Sequence, residues 1–301
     1  MAARRRVCCS MFLCTLVSGI FAGVSPAIAE DRLFGFARTL LHEGEYYRAI
    51  GEFQRFLFAH PGHPRAPEAQ LHIATAFFCG ERWLQAFELF RRIAQAMPDT
   101  PVGQRAALWM AETRARGGDH PTAIRLYQEV IARVPGTPAA QRAAYMRGWS
   151  LLRQRHWSEA HAAFADPGAE SPYRPSAQRM AAALDPPPAL PRRSPALARA
   201  LSLVLPGAGQ VYTGKPLDGI IGLGVHGALI AGTTEAVLAG LEGAAGLGAF
   251  FAWGFYRTQL SNAAEGAREF NAQAEERFIE QLAEQERTFL ALQEMSIQCP
   301  P

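Results

Sequence analysis

A 37-residue step constrains this chain more than any other feature. Ala49 recurs as Ala86, Ala123 and Ala160, each 37 residues after the last, and Pro61 recurs at the same step as Pro98, Pro135 and Pro172. An aromatic four residues after the alanine returns as Phe53, Phe90, Tyr127 and Phe164, and one three residues before it as Tyr46, Trp83 and Trp157, with His120 substituting once. Self-similarity at one period of this size is the signature of a solenoid, in which each unit buries its apolar face only by stacking on its neighbours. Each unit reads as two helices. In the first, Leu33, Phe36, Ala37 and Leu40 share a face, Gly44-Glu45 breaks the chain, and Ala49, Ile50, Phe53, Phe56 and Leu57 form the second stripe. The alanine marks a close helix crossing, and the aromatics fill the space beside it.

The connection between units repeats too, as Pro61-Gly-His-Pro64, Pro98-Asp-Thr-Pro101, Pro135-Gly-Thr-Pro138 and Pro172-Tyr-Arg-Pro175. The first proline ends a helix. Thr100 and Thr137 are then placed as N-caps, with Pro101 and Pro138 at the first helical position. These columns resemble the tetratricopeptide repeat (TPR), whose usual unit is 34 residues; the three extra residues lie in the connection. The proline-bounded loop is similar to the repeats of bacterial envelope proteins: the TPR component of the outer-membrane barrel assembly machine and the Tol-Pal-associated periplasmic coordinator. The resemblance implies an all-α solenoid of four helix pairs over residues 30–184, with Ser176 to Leu184 as capping helix. It also implies that the first helix of each pair lines a concave groove. Counted onto this chain, that groove holds Arg38, Arg105, Arg116, Arg142, Tyr145, Trp149 and Arg153, with Phe34, Leu41, Leu71, Phe78 and Leu108 between them. Its later half is basic and aromatic, suited to a segment carrying carboxylates or aromatic anchors. Trp149 also suits core packing. The lysines and asparagines of chaperone-type carboxylate clamps are absent.

Residues 1–29 read as a secretory signal peptide: Arg4 to Arg6, an apolar core from Val7 to Val24, and Ala27-Ile28-Ala29 before the expected cleavage. An uncleaved anchor is the alternative. The stretch contains three arginines and no acid, so the net charge of +3 falls to 27 basic against 27 acidic residues without it. A neutral mature chain argues against nucleic acid as partner. Cys79 and Cys299 are the cysteines left beyond the leader, and two do not make a disulfide framework; whether they pair is left open.

Residues 185–195 hold five prolines and read as an extended spacer and domain boundary. Beyond it the composition turns apolar. Leu217 to Thr234 is long enough to span a bilayer and Gly243 to Tyr256 is short for one. Both carry small residues four apart (Gly224, Ala228, Gly232; Ala244, Gly248, Ala252), which lets helix backbones approach. A hydrophobic helical hairpin over 196–256 with its turn near Glu235 to Glu242 follows, and 217–256 is the expected membrane contact. A hairpin buried in a soluble module is the other reading. The turn lacks Lys and Arg while Arg193, Lys215 and Arg257 flank it, opposite to the positive-inside tendency for an exported amino-terminal domain. Residues 257–301 read as a long amphipathic helix and tail whose stripe packs on its own chain or on a partner.

Pro206, Gly207, Gly209, Gln210, Tyr212 and Gly214 form a PGxGQxYxG turn of unassigned role. Together with Phe255 to Asn271, it resembles the opening and closing elements of modules in small bacterial membrane proteins, although the first asparagine is displaced to Asn262. Gly222 to Gly227 spells GxGxxG but lies inside an apolar run with no preceding strand. His60, His63 and His72 sit at ordinary repeat positions, and no nucleophile has a base at motif spacing. Expected, then, are no catalytic residues, no metal and no cofactor. The resemblances imply a non-enzymatic, exported, periplasmic scaffold, membrane-associated and docking envelope proteins in its groove. The alternative is a membrane-embedded assembly or transport component with the repeats as adaptor.

Overall fold

Each repeated column becomes a helix crossing. In the computed structural model, which describes residues 26–168, 170–294 and 299, every regular element among the described residues is an α-helix. The expected leader lies largely outside the described residues. By its internal contacts the chain divides into two units, Met1–Asp119 with Glu294–Pro301, and His120–Gln293.

The first unit holds α1 (Pro26–His42), α2 (Tyr46–Ala59), α3 (Ala66–Cys79), α4 (Trp83–Ala96) and α5 (Pro101–Arg116), each packed on the next. Ala49 and Ala86 are sealed at the crossings, with Phe53 and Phe90 beside them. A second small column runs through the first helix of each pair as Ala37, Ala74 and Ala111, also fully buried. Thr100 caps α5 by accepting the Gly103 N–H at 3.1 Å. In the same column His63 does not cap α3; its Nδ1 accepts the Arg65 N–H at 3.1 Å, within the turn before the helix. Cys79 and Cys299, 220 positions apart in the chain, form a disulfide, Cα to Cα 5.6 Å.

The second unit holds α6 (His120–Arg133), α7 (Pro138–Arg153), α8 (Trp157–Ala165) and α9 (Arg174–Leu184), then α10 (Pro195–Val204), α11 (Ala208–Tyr212), α12 (Pro216–Leu238) and α13 (Glu242–Glu294). Ala123, Ala160, Tyr127 and Phe164 continue the buried columns, and Thr137 caps α7. Gly148 continues the second small column: a Cβ there would stand 2.6 Å from the Phe164 ring.

Three expectations change. The second apolar run and the amphipathic helix are one uninterrupted 53-residue helix, α13, because its glycines face open space or a neighbour and no proline interrupts it. The cap α9 is not the end of the array, since Met180 and Leu184 are covered in turn by Ile279 and Leu282 of α13. Residues 185–195 are not a free spacer between domains. They lie within the second unit, where Asn271 accepts the Arg193 N–H at 2.7 Å and donates to the Arg193 carbonyl at 3.0 Å. The Ser194 N–H is donated to the Tyr212 hydroxyl, and the Arg193 guanidinium lies over the Tyr212 ring.

Candidate partner-binding face

On the first unit's inner helices, Phe34, Leu41, Leu71, Phe78 and Leu108 belong to the core, while Arg38, Arg105 and Arg116 stand exposed. His72 is buried beneath them, stacked on Phe53 with ring centroids 5.1 Å apart. Burial lowers its pKa to about 4; Glu68 opposes that shift, and the Arg105 and Arg38 guanidinium groups add to it. The imidazole is therefore neutral at neutral pH.

On the second unit the predicted residues meet something the groove reading did not include, the chain's own α13. Tyr145 and Trp149 are buried, as is Arg142. Tyr145 packs its ring 6.0 Å from Phe289 and bonds its hydroxyl to Ser176 Oγ at 2.6 Å. Burial raises its pKa despite that bond. Tyr173 stacks on Tyr145 at 5.0 Å and meets Phe289 edge-on at 6.1 Å, and Trp157 meets Phe278 at 6.0 Å. Around this apolar seam runs a set of ion pairs. Arg153 Nη1 donates to Glu276 at 2.7 Å, Arg155 Nε to Glu275 at 2.8 Å, and Arg179 to both oxygens of Glu286 at 2.7 Å. Burial alone would raise the Glu286 pKa, but the bonds from Arg179 and Ser176 outweigh it and hold the carboxyl below its ordinary value. Sequence reasoning placed Arg153 on this face and missed Arg155, Arg179 and the acids that all three hold. The signal was present: Glu275, Phe278, Ile279, Leu282, Glu286 and Phe289 recur at three- and four-residue spacing along one helix. The stripe packs on its own chain, the first of the two readings above.

The glycine-rich turn is a helix junction. Gly207 has φ +94°, and a Cβ on it would stand 2.1 Å from the Gly219 carbonyl oxygen. One on Gly209 would stand 2.1 Å from the Ala198 carbonyl oxygen. Pro206 precedes that crossing, and Gly214 closes α11 at φ +87°. Gln210 is buried; its Nε2 donates to the Gln259 carbonyl at 2.9 Å and to the Gln259 side chain, while its Oε1 accepts from Ser202. The two motif halves that share one resemblance thus bond to each other. Beside the junction, Gln210, Lys215, Asp218, Gln259, Asn262 and Glu269 line a cavity of about 290 Å³. Beyond it α12 and α13 pair antiparallel: Gly222 against Gln259, His226 beside Phe255 and Tyr256, and Gly248 against Thr233. Among the described residues no group of three or more His, Cys, Asp or Glu is placed to hold a metal, and His60 and His63 keep their rings 6.4 Å apart.

The tetratricopeptide repeat family matches this chain at residues 34–101 and 108–175. These stretches are tetratricopeptide repeats. No curated protein matches the chain. Among solved structures, the nearly identical kinesin-light-chain TPR-like repeats of Podosopora anserina share 15% identity, with a TM-score of 0.42, over 51% of this chain and 84% of theirs. A TPR protein of Parabacteroides merdae ATCC 43184 shares 12% identity with a TM-score of 0.40, over 84% of this chain and 98% of its own. Tetratricopeptide repeats are generally protein-interaction scaffolds, and the fold is typically non-catalytic.

Proposed function

We propose that this chain is a non-enzymatic interaction scaffold of the bacterial cell envelope, exported and held at a membrane by α12 and the start of α13, with the inner faces of its repeats docking envelope proteins. The observation that carries the membrane part is the exposure of α12. Its 23 residues span about 34 Å at helical rise, against a hydrocarbon core of about 30 Å. Leu217, Ile220, Ile221, Leu223, Val225, Ile230 and Val237 all point away from the protein, and Leu247, Phe250, Phe251 and Trp253 of α13 extend the same surface. A patch of that extent marks an interaction surface. The Cys79–Cys299 disulfide supports an oxidising compartment, in line with the expected leader and the resemblance to envelope TPR proteins. Fractionation tests the anchor: the protein is expected to resist carbonate and high salt and to need detergent. Extraction by carbonate alone sinks the anchor and leaves the scaffold reading standing.

The cavity at the hairpin base favours the second reading, a membrane-embedded assembly or transport component. Substitution of Lys215 and Asp218, which line that cavity, separates the two. A scaffold keeps its cross-linked partners, whereas a membrane component loses function with partners still bound.

A further inference from the structure

The face formed by α7 and α9 is covered by α13. We propose that it recognises an acidic amphipathic helix, that residues 275–289 of α13 are its resident occupant, and that a partner helix of the same chemistry docks by displacing them. The inference rests on the scaffold reading and specifies its partner.

Four observations carry it. The composition is that of a recognition site: Tyr145, Trp149 and Tyr173 form an aromatic floor, ringed by Arg153, Arg155 and Arg179. The occupant is its electrostatic complement, since Asn271 to Phe289 contains five carboxylates and two arginines. The fit is read side chain by side chain, with Glu275, Glu276 and Glu286 on the guanidinium groups and Phe278, Ile279, Leu282 and Phe289 on the apolar floor. Finally, the occupant is held at its edges by groups that water reaches. The Arg153 and Arg155 side chains remain 37% and 38% exposed, so their pairs add little net stability while fixing register, whereas Arg179 holds the buried Glu286 carboxylate through two hydrogen bonds and is the firm point of the seam. Phe278 and Phe289 are only partly buried. Its Glu275–Glu276 edge is the part that can open first, Ile279, Leu282 and Glu286 being buried, and what replaces it must present two neighbouring carboxylates and a third about three turns on beside an apolar stripe.

The test uses the full chain and a fluorescent synthetic peptide of residues 271–293 as the acidic helix. In the variant Glu275→Arg/Glu276→Arg, the new cations face Arg153 and Arg155 and loosen the resident helix, which hydrogen exchange over 271–289 reports. The peptide is expected to bind this variant at least about tenfold more tightly than the parent chain, the scale of one charge-assisted hydrogen bond. Adding Arg153→Glu/Arg179→Glu is expected to abolish that binding. Glu286→Gln, a milder loosening, serves if the reversal variant fails to fold. Fast exchange over 271–289 without peptide binding overturns the proposal, as does peptide binding that ignores Arg153 and Arg179. Exchange that stays slow in both loosened variants makes α13 a permanent part of the fold and also overturns it. Cross-linked partners that persist on the Arg153→Glu/Arg179→Glu chain leave the scaffold reading intact while this inference fails.

Discussion

In the array, Ala49, Ala86, Ala123 and Ala160 bring helices together at one crossing repeated every 37 residues; in the module of α10 to α13 no crossing recurs. There Gly207 meets Gly219, Gly209 meets Ala198, Gly222 meets Gln259, Gly248 meets Thr233 and Gly266 meets Thr213, each once. The array uses a side chain of one carbon at each of its buried alanine positions, and at Gly148 the neighbour is a side chain, the Phe164 ring. The module's tightest contacts, at Gly207 and Gly209, set backbone against backbone, which does not adjust. The array has a backbone contact of this kind, at Gly103, where a Cβ would stand 1.8 Å from the Met97 carbonyl oxygen, but it lies in the connection between units and not at the alanine crossings.

That contrast is broken most sharply at Gly207. Its φ of +94° and the Gly219 carbonyl 2.1 Å from any Cβ leave no room to adjust. Gly207→Val should cost about 4 kcal/mol or more, through left-handed strain and overpacking together, read by denaturant unfolding in detergent. Gly214 shares the positive φ but faces open space, so Gly214→Ala should cost only about 1–2 kcal/mol. Equal costs at the two glycines would remove the backbone contact as the cause.

The array also has an electrostatic constraint, at His72. His72 has a folded-state pKa of about 4 against an ordinary 6.5, set first by burial, with Glu68 opposing and Arg105 and Arg38 reinforcing. A lowered folded pKa means the unfolded chain takes up the proton first. This contribution is therefore complete above pH 6.5 and is lost as pH falls toward 4, up to about 3 kcal/mol at the acid end. Urea unfolding of the parent and of His72→Asn from pH 7 to pH 4.5 checks it. The parent should lose stability faster; parallel curves refute the assignment.

Ala123 measures how soft the array crossings are. Ala123→Leu inserts a branched side chain at a fully buried position beside Tyr127, and about 2 kcal/mol is expected, because side chains rather than carbonyls must move. A loss as large as that of Gly207→Val would show the alanine crossing to be as unyielding as the glycine one.

What the sequence made legible follows the same division. The array was readable because Ala49, Phe53 and Pro61 each return at a fixed step, and the caps because Thr100 and Thr137 precede prolines. The candidate face was half readable. Counting repeat positions found Tyr145, Trp149 and Arg153 but not Glu276, which lies 123 residues from Arg153 in the chain. Nor did counting separate Arg142, which is buried, from Arg38 and Arg105, which are exposed, because all are arginines on first helices. In the module, single pairings such as Gln210 with Gln259 have no period to reveal them.

One column of the array stayed hidden because only half of it is glycine. Gly44, Glu81, Gly118 and Arg155 stand 37 residues apart, all with positive φ of 78°, 58°, 82° and 62°, where the first helix of each pair turns into the second. The turn demands a left-handed residue whatever the side chain, and a side chain there costs about 1 kcal/mol relative to glycine. Arg155 has a reason to be the exception, since its guanidinium holds Glu275 and Glu276. Glu81 is exposed. Glu81→Gly should therefore stabilise the chain slightly, by about 0.5 kcal/mol at most once glycine's greater freedom in the unfolded chain is deducted. Arg155→Gly should gain the same relief and lose the pairs to α13, so its net effect should fall below that of Glu81→Gly. A urea midpoint that rises for Glu81→Gly and not for Arg155→Gly fits one shared turn with two occupants chosen for different reasons. A midpoint that falls for Glu81→Gly means that the strain at this turn is already offset by contacts of the glutamate itself.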